Sequence, residues 1–319
     1  MRFLVTGAAG FIGSHLVERL LCDGHTVVAL DDFSTGRREN LAPFIDRVEL
    51  IEASITDLDA CQRAARNADF VLHQAALGSV PRSVVDPAGT HDVNATGTLN
   101  MLIAAREAGV RRFVYAGSSS AYGDTPELPK REDMLARPRS PYAVAKLAGE
   151  QYLAAFHTTY GLETITLRYF NVFGPRQDPS SQYAAVIPKF ITAALHNEAP
   201  TIFGDGEQTR DFTYVTNVVD ANLRACEAPS NAAGQVFNIG GGRQMSLNEL
   251  WRRIRELTGA TIDAIFEPAR AGDVRDSLAS LERTTSLLRL TPSVTVDAGL
   301  ERTVESFRAR AEQSARELP

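Results

Sequence analysis

The chain has 319 residues, a formal net charge of −6 at pH 7 and only three cysteines. A chain of this length usually divides its core, so we expect two domains or one large domain with a smaller lobe. The acidic balance leaves no broad cationic field for a nucleic acid or an anionic membrane. Cys22, Cys61 and Cys226 are far apart and follow no zinc or disulfide pattern, which favours a reducing cytoplasm.

The start of the chain and its apolar stretches indicate a soluble protein. Met1 to Val5 run directly into a glycine turn, so we expect no secretory signal. Charged residues interrupt each apolar stretch well before the roughly 20 residues that a membrane span needs. The six histidines lack the spacing of a metal motif, and we therefore expect no catalytic metal.

Short aliphatic runs alternate with amphipathic segments along the first half of the chain. This alternation predicts an α/β fold with a doubly wound parallel sheet. The first helix should run from about Phe11 to Asp23, and the tail after about Glu301 should be a charged helix. After Asn171, a higher content of Gly, Pro and Asp indicates a separate substrate lobe. The predicted strands are Arg2–Val5, Thr26–Leu30, Val48–Ile51, Phe70–His73, Arg112–Ala116 and Thr164–Arg168.

The segment TGAAGFIG, residues 6–13, lies between the first predicted strand and the first predicted helix. Its glycines permit a tight turn, and the amides at the helix start can bind a pyrophosphate. Asp31 follows the second strand, where a carboxylate accepts hydrogen bonds from ribose and repels a 2′-phosphate. These features favour NAD over NADP, although Arg37 and Arg38 leave NADP open.

Tyr142 and Lys146 are four residues apart in a helical pattern, so their side chains share one helix face. A tyrosine pKa is ordinarily near ~10. A lysine ammonium about 5 Å away stabilises the phenolate by on the order of 3 kcal/mol at an effective dielectric constant of ~20, and an oxidised nicotinamide adds more positive charge. The pair therefore predicts a tyrosinate base at neutral pH.

Five segments together resemble a known family over nearly the whole chain: TGAAGFIGSH, HQAA at 73–76, GSSSAYGD, SPYAVAK and RYFNVFGP. They are similar to the extended short-chain dehydrogenase/reductase superfamily, specifically its UDP-sugar 4-epimerases. The resemblance implies a Rossmann domain at 1–172 plus about 214–240, and a smaller C-terminal α/β lobe at about 173–213 plus 241–319. It also implies bound NAD, a UDP-sugar substrate and a homodimer through helices near 91–109 and 141–160.

The resemblance assigns catalysis to Ser118, Tyr142 and Lys146. Tyr142 would take the proton of the sugar 4-hydroxyl, Ser118 would hydrogen-bond that hydroxyl, and a 4-keto sugar would form before hydride returns to its other face. The family usually carries an acid where this chain has Ser54, so adenine binding should be weaker here. The implied cofactor contacts are Gly7, Gly10, Phe11, Ile12, Gly13, Asp31, Asp32, Ser34, Thr35, Gly36, Ser54, Ile55, Ala75, Ala76, Asn94, Tyr142, Lys146 and Tyr169.

For the substrate, the resemblance places Arg210 and Arg270 on the diphosphate, Asp273 on the ribose, and Thr201 and Phe203 beside the uracil. Ser277 stands at a size-selecting position, where a small residue admits a 2-acetamido group. The pair favoured is therefore UDP-GlcNAc and UDP-GalNAc, with UDP-glucose and UDP-galactose still possible substrates. The implied substrate contacts are Ser79, Val80, Ser118, Ser119, Ser120, Tyr142, Asn171, Ala185, Val186, Thr201, Phe203, Arg210, Arg270, Asp273 and Ser277.

Other functions on the same scaffold stay open. Dehydratases and decarboxylases of this superfamily carry acids just after the catalytic hydroxyl, where this chain has Ser119 and Ser120. Hexuronate epimerases carry Thr in place of Asn171 and Arg in place of Asp178, and an acid there would repel a substrate carboxylate. A non-catalytic protein that binds nucleotide sugars is the alternative from another class.

Overall fold

A seven-stranded parallel sheet forms the centre of the computed structural model, which describes residues 1–179, 185–269 and 275–316. Strands and helices are numbered along the chain. The seven strands are β1 Arg2–Thr6, β2 Thr26–Asp31, β3 Val48–Glu52, β4 Phe70–His73, β5 Arg112–Ser118, β6 Glu163–Tyr169 and β11 Gln235–Ile239. Their order is β11-β6-β5-β4-β1-β2-β3, which confirms the doubly wound parallel sheet. The order reverses between β1 and β4, and a ligand site is expected at that point.

Helices cover both faces of this sheet. Leu16 and Leu20 of α1 (Phe11–Cys22) join Val218 of α9 (Val215–Glu227) in the core of one face. The core of the other face includes side chains from α3 (Leu58–Ala65), α6 (Gly97–Glu107) and α7 (Pro141–Tyr160). The remaining helices are α2 Arg38–Leu41, α4 Val80–Val85, α5 Pro87–His91, α8 Val186–Leu195, α10 Leu247–Thr258, α11 Glu282–Leu287 and α12 Val296–Arg316.

The ends of α7 follow from local chemistry. The Ser140 hydroxyl accepts a hydrogen bond from the Ala143 amide at 3.2 Å, and Pro141 occupies the first helical turn, where its missing N–H costs nothing. Gly161 ends the helix in a left-handed conformation with φ of 73°. This helix carries Tyr142 and Lys146, so its capped start fixes where these two side chains lie.

A smaller lobe packs α8, α10 and α12 around its own core. Phe190 and Trp251 meet edge to face there, with ring centroids 5.6 Å apart. The lobe strands form short pairs of β7 with β10, β9 with β12, and β8 with β13. They are β7 Val172–Phe173, β8 Thr201–Phe203, β9 Thr209–Asp211, β10 Thr213–Tyr214, β12 Gln244–Ser246 and β13 Ile265–Glu267.

Two sequence predictions need adjustment. The C-terminal helix begins at Val296 rather than about Glu301, because its first turns bury Val296 and Leu300 in the lobe core. The predicted strand ends were also one or two residues short for most strands. The lobe boundaries stay a prediction, although α9 and β11 return to the main sheet as that prediction requires. Within the described residues, no helix is both long and apolar enough to cross a bilayer.

Candidate active site

The glycine turn after β1 is held in a conformation that only glycine fits. Gly7 has φ of +64°, and a Cβ there would lie 2.7 Å from the Ala75 backbone nitrogen. A Cβ on Gly13 would lie 2.0 Å from the Gly7 carbonyl oxygen. Gly10 precedes α1 without a side chain to cap the first amides of that helix. The turn therefore presents backbone amides and a helix N-terminus at close range, which fits a pyrophosphate.

Asp31 closes one side of this turn. Its buried carboxylate accepts hydrogen bonds from the amides of Ala9 and Phe33, each at 2.8 Å. Burial raises the pKa of Asp31, and the two amide bonds lower it in part. A Cβ on Gly36 would lie 2.7 Å from the same carboxylate, so Gly36 brings its loop against it.

Both arginines that left NADP open have acidic partners. Arg37 pairs with Asp178 at 2.6 Å. Arg38 pairs with Glu52 and stacks on the Phe33 ring, 4.0 Å from its centroid. These ion pairs support NAD over NADP. The charge of Asp178 is compensated by Arg37, so the repulsion predicted between Asp178 and a substrate carboxylate is weakened.

A cavity opens beside the glycine turn and extends to the loops after β2 and β4. Sequence reasoning missed five of its lining residues, Leu30, Ala53, Gln74, Leu77 and Val93; of these, only Gln74 lay in a quoted motif, HQAA. The predicted cofactor residues that line the cavity are Gly7, Gly10, Asp31, Asp32, Ser34, Thr35, Gly36, Ile55, Ala75 and Ala76.

The other predicted cofactor residues lie around this cavity in supporting positions. Phe11 and Ile12 pack their side chains against the lobe core, leaving their backbone at the helix start. The Ser54 hydroxyl accepts hydrogen bonds from the amide and hydroxyl of Thr56. Asn94 is buried and pairs with both backbone groups of Leu77, at 2.8 and 3.2 Å. Direct contacts of these side chains with a cofactor stay predictions.

Ser118 lies at the carboxyl end of β5 and faces Tyr142. Its side chain is within hydrogen-bonding reach of the Tyr142 phenol. The same hydroxyl caps the turn that follows, because it accepts from the Ser120 amide at 3.2 Å and contacts the Ser120 hydroxyl at 2.8 Å. The structure therefore brings Ser118, Ser120 and Tyr142 together, as the sequence predicts.

Lys146 is fully buried one helical turn after Tyr142, at 4% exposure. Its ammonium lies 4.5 Å from the centroid of the Tyr115 ring, on whose face the charge is stabilised. Tyr115 in turn donates to the Lys146 carbonyl at 3.2 Å. Burial lowers the pKa of Lys146 to about 7.

The predicted lowering of the Tyr142 pKa stays a prediction, because the protein residues alone shift this pKa in the opposite direction. Burial raises the pKa of Tyr142, and the bond with Ser118 lowers it only in part. The physical reason is that burial disfavours the charged phenolate of Tyr142; Lys146 is desolvated as well, which lowers its own pKa to about 7. A positive charge brought in by a ligand would act in the predicted direction, since it favours the phenolate.

Three of the predicted substrate residues converge where the main sheet meets the lobe. The Asn171 amide donates to the Ser277 hydroxyl at 3.3 Å and to the Asp211 carbonyl at 3.0 Å. The Asp211 amide donates to the same Ser277 hydroxyl at 3.2 Å. Arg210, the residue before Asp211, is oriented by the carbonyls of Thr209 and Arg275, each at 2.9 Å.

Asp211 itself was missed by sequence reasoning. Its fully buried carboxylate accepts hydrogen bonds from the amides of Gly241 at 2.6 Å and Ala279 at 2.9 Å. Burial raises its pKa to about 6 despite these bonds. Asp211 thus ties together the loops around Asn171 and Ser277.

The remaining substrate predictions are not joined to this cluster by a described contact. Thr201 and Phe203 lie on β8, and Ala185 and Val186 lie at the start of α8. The Ser79 hydroxyl caps α4 by accepting from the Arg82 amide at 3.1 Å, and Val80 is partly exposed. Arg270 and Asp273 lie outside the described residues.

Comparison with known families agrees with this geometry. The family model described as "NAD dependent epimerase/dehydratase family" matches residues 3–240. The chain belongs to this family. The matched region contains the glycine turn, Asp31, Ser118, Tyr142 and Lys146.

Individual members of the NAD-dependent epimerase/dehydratase family are similar to this chain over its whole length. A UDP-glucose 4-epimerase of Mycolicibacterium smegmatis is 45% identical over 98% of this chain and 100% of its own length. The crystal structure of UDP-glucose 4-epimerase from Thermotoga maritima with UDP-glucose has a TM-score of 0.93 and 39% identity, covering 98% of this chain and 100% of that one. The structure of UDP-N-acetylglucosamine 4-epimerase from Methanobrevibacter ruminantium in complex with UDP-N-acetylmuramic acid has a TM-score of 0.92 and 38% identity. The match covers 97% of this chain and 98% of that one.

NAD, the cofactor of the family, fits the residues present. The close-packed glycines Gly7 and Gly13 leave backbone rather than side chains at the turn, and Asp31 stands where a ribose would lie. The cavity joins these groups to Ala75 and Ala76.

Proposed function

We propose that the chain is an NAD-dependent 4-epimerase of UDP-hexoses, with UDP-GlcNAc and UDP-GalNAc as its favoured pair. The observation that carries this proposal is the position of Ser118, Tyr142 and Lys146. They lie at the carboxyl edge of the sheet, next to strands that carry a glycine turn suited to NAD. The similarity to 4-epimerases over the whole chain supports the same conclusion.

In this proposal each residue has a chemical role. Tyr142 removes the proton of the sugar 4-hydroxyl, and Ser118 orients that hydroxyl through a hydrogen bond. Lys146 lies below Tyr142, where its positive charge favours the phenolate whenever the amine is protonated. The chemistry that bound NAD supplies is reversible hydride acceptance at sugar C4. Tyr142 returns its proton to the oxygen when the opposite configuration is formed.

Ser277 supports the choice of an acetamido sugar. It is a small residue whose hydroxyl is held by Asn171 and Asp211, and in this proposal its small size admits the 2-acetamido group. Unfilled space beside a smaller sugar costs less binding free energy than a steric clash with a larger one. UDP-glucose and UDP-galactose are therefore also proposed as substrates of the same site.

Other reactions of the family lack their proton handlers here. The positions after Ser118 are Ser119 and Ser120, and the Ser120 amide and hydroxyl are both bonded to Ser118. Neither side chain can act as the carboxylic acid that elimination or decarboxylation needs. The carboxylate of a hexuronate substrate would need a cation to bind it. Position 178 carries an acid, Asp178, and the nearby Arg37 is already paired with that acid.

We also propose a homodimer in a reducing cytoplasm, formed through the helices near 91–109 and 141–160 and extended by α4, which packs on α7. Apolar side chains on these packed helices face solvent, with Val84 66% and Val144 52% exposed. Cys22, Cys61 and Cys226 are free thiols, which fits a reducing compartment. Light scattering after gel filtration tests the dimer: Val84→Glu with Val144→Glu should yield a monomer, and an unchanged mass would place the interface elsewhere.

The proposed activity is tested by incubating purified protein with UDP-GlcNAc, UDP-glucose and UDP-glucuronate in separate reactions. NMR of the anomeric protons identifies each product. We expect UDP-GalNAc from UDP-GlcNAc, slower conversion of UDP-glucose and none of UDP-glucuronate. Absence of conversion in all three reactions would rule out the proposed function.

A further inference from the structure

A closed ring of three amide and hydroxyl side chains joins the cofactor cavity to the strand beside Ser118; Asn222 and Tyr169 are buried and Gln74 is partly buried. Gln74 donates to the Asn222 side-chain oxygen at 3.1 Å. Asn222 donates to the Tyr169 hydroxyl at 2.8 Å, and Tyr169 donates to the Gln74 side-chain oxygen at 3.3 Å. Each of the three residues is therefore both a donor and an acceptor within the ring.

The ring joins three separate parts of the main domain. Gln74 follows β4 and lines the cofactor cavity, whereas Tyr169 ends β6 and is paired in register with Ser118 on β5. Asn222 comes from α9 and is fully buried, with its remaining N–H donated to the Val218 carbonyl at 2.8 Å. The ring therefore connects the floor of the cofactor cavity to the strand edge that carries the catalytic hydroxyl.

Burying polar side chains such as Asn222 and Tyr169 in an apolar layer is costly unless their groups are hydrogen-bonded. Around this ring the helix face of α9 is otherwise apolar, with Val218, Val219 and Ala221 in the core. Leu or Val at position 222 would fill such a layer without polar groups. The ring is consequently a feature for which stability alone gives no reason.

We propose that Gln74, Asn222 and Tyr169 position the reacting end of bound NAD relative to Ser118 and Tyr142. The inference rests on the proposed function for the identity of the reaction, but its first consequence is on cofactor binding. The ring restricts the conformations of the Gln74 and Tyr169 side chains before the cofactor binds. Less conformational entropy is therefore lost on binding. Breaking the ring should weaken NAD retention and impair turnover together.

Asn217 supplies a matched control on the same helix. It is also a buried asparagine, but its side chain binds the backbone of Ser293 and Val294 at 2.8–3.0 Å, and Val294 packs against the lobe core. Asn222→Leu and Asn217→Leu each remove one buried amide and leave its partners unpaired. The two variants should therefore lose similar thermal stability and differ only in their effect on the cofactor.

The experiment measures bound NAD per chain after gel filtration, the dissociation constant for added NAD, and kcat. We expect Asn222→Leu to weaken NAD binding and lower kcat by about tenfold each, a loss expected of one buried hydrogen-bonding group. We also expect it to accumulate fluorescent bound NADH during turnover, because hydride return is impaired. Asn217→Leu should keep both quantities within twofold of the wild-type protein.

Two results would overturn the inference: unchanged NAD binding and kcat in Asn222→Leu, or equal losses in Asn217→Leu. If Asn222→Leu does not fold, Tyr169→Phe removes a single hydroxyl from the ring without changing its volume and should weaken NAD binding in the same direction. NAD binding in Tyr169→Phe equal to wild type would then reject the proposal. Failure of the wild-type protein to convert any UDP-sugar would instead reject the proposed function, since NAD binding is measured separately.

Discussion

Glu150 accepts two parallel hydrogen bonds from the guanidinium of Arg168, at 2.9 and 2.6 Å, with both side chains about 95% or more buried. Glu150 lies one turn after Lys146 on α7, and Arg168 lies on β6 just before Tyr169. The guanidinium also lies over the Tyr122 ring, 4.6 Å from its centroid. This ion pair fixes α7, which carries Tyr142 and Lys146, to β6.

Removing one partner of this pair should destabilise the protein strongly. Glu150→Gln leaves the Arg168 charge buried without a carboxylate, and we expect a loss of about 3–5 kcal/mol in the free energy of unfolding. Urea denaturation measures it. The double variant Glu150→Met with Arg168→Met removes both charges and should recover most of that loss. A double variant as unstable as the single one would contradict this account.

Replacing Tyr142 by Phe removes the proposed base and leaves the shape of the site intact. Turnover should fall by a factor on the order of 10²–10⁴. The measurement is the initial rate of UDP-GalNAc formation, followed by NMR. Bound NAD should stay at the wild-type level, which shows that the fold is preserved. A rate close to wild type would exclude Tyr142 as the base.

Asp211 should give stability an unusual dependence on pH. Its pKa is raised to about 6 in the folded protein by burial, against about 3.8 when unfolded. Between these two pKa values the folded state binds a proton that the unfolded state has released. Protonation of Asp211 therefore stabilises the folded state more as the pH falls, and this stabilisation is lost as the pH rises through about 6. Relative to Asp211→Asn, the free energy of unfolding of the wild-type protein should rise by about 1 kcal/mol as the pH falls from 7 to 5. A constant difference in the free energy of unfolding between the two proteins over this pH range would show that the pKa of Asp211 is not raised.

Enlarging Ser277 tests the choice of sugar. In Ser277→Tyr a bulky ring fills the space proposed for the 2-acetamido group, and it also displaces the hydroxyl bonded to Asn171. We expect kcat/KM for UDP-GlcNAc to fall at least about tenfold more than kcat/KM for UDP-glucose. Equal losses on both substrates would remove the argument for a size-selecting residue.

Local sequence patterns were sufficient to predict the features that depend on neighbouring residues. The parallel strands, the glycine turn with Gly7 and Gly13, and the shared helix face of Tyr142 and Lys146 all follow from spacing along the chain. The family resemblance then indicated Ser118, whose contact with Tyr142 spans two separate elements.

Features that depend on burial and on distant partners could not be predicted in this way. The lowered pKa of Lys146 arises from its burial, where α7 packs it against Tyr115 of β5. Asp211 follows Arg210 in the sequence and belongs to no motif, yet its carboxylate is enclosed by the amides of Gly241 and Ala279. These contacts join residues 30 and 68 positions apart, and sequence spacing carries no information about them.

The central claim is that hydride returns to the same carbon that it left. The most direct test is conversion of UDP-GlcNAc carrying deuterium at C4, in ordinary water, followed by NMR and mass spectrometry of both sugars. We predict that UDP-GalNAc forms with deuterium retained at C4, because the hydride stays on bound NAD between the two half-reactions. Loss of the deuterium to solvent during conversion, or no conversion at all, would contradict it.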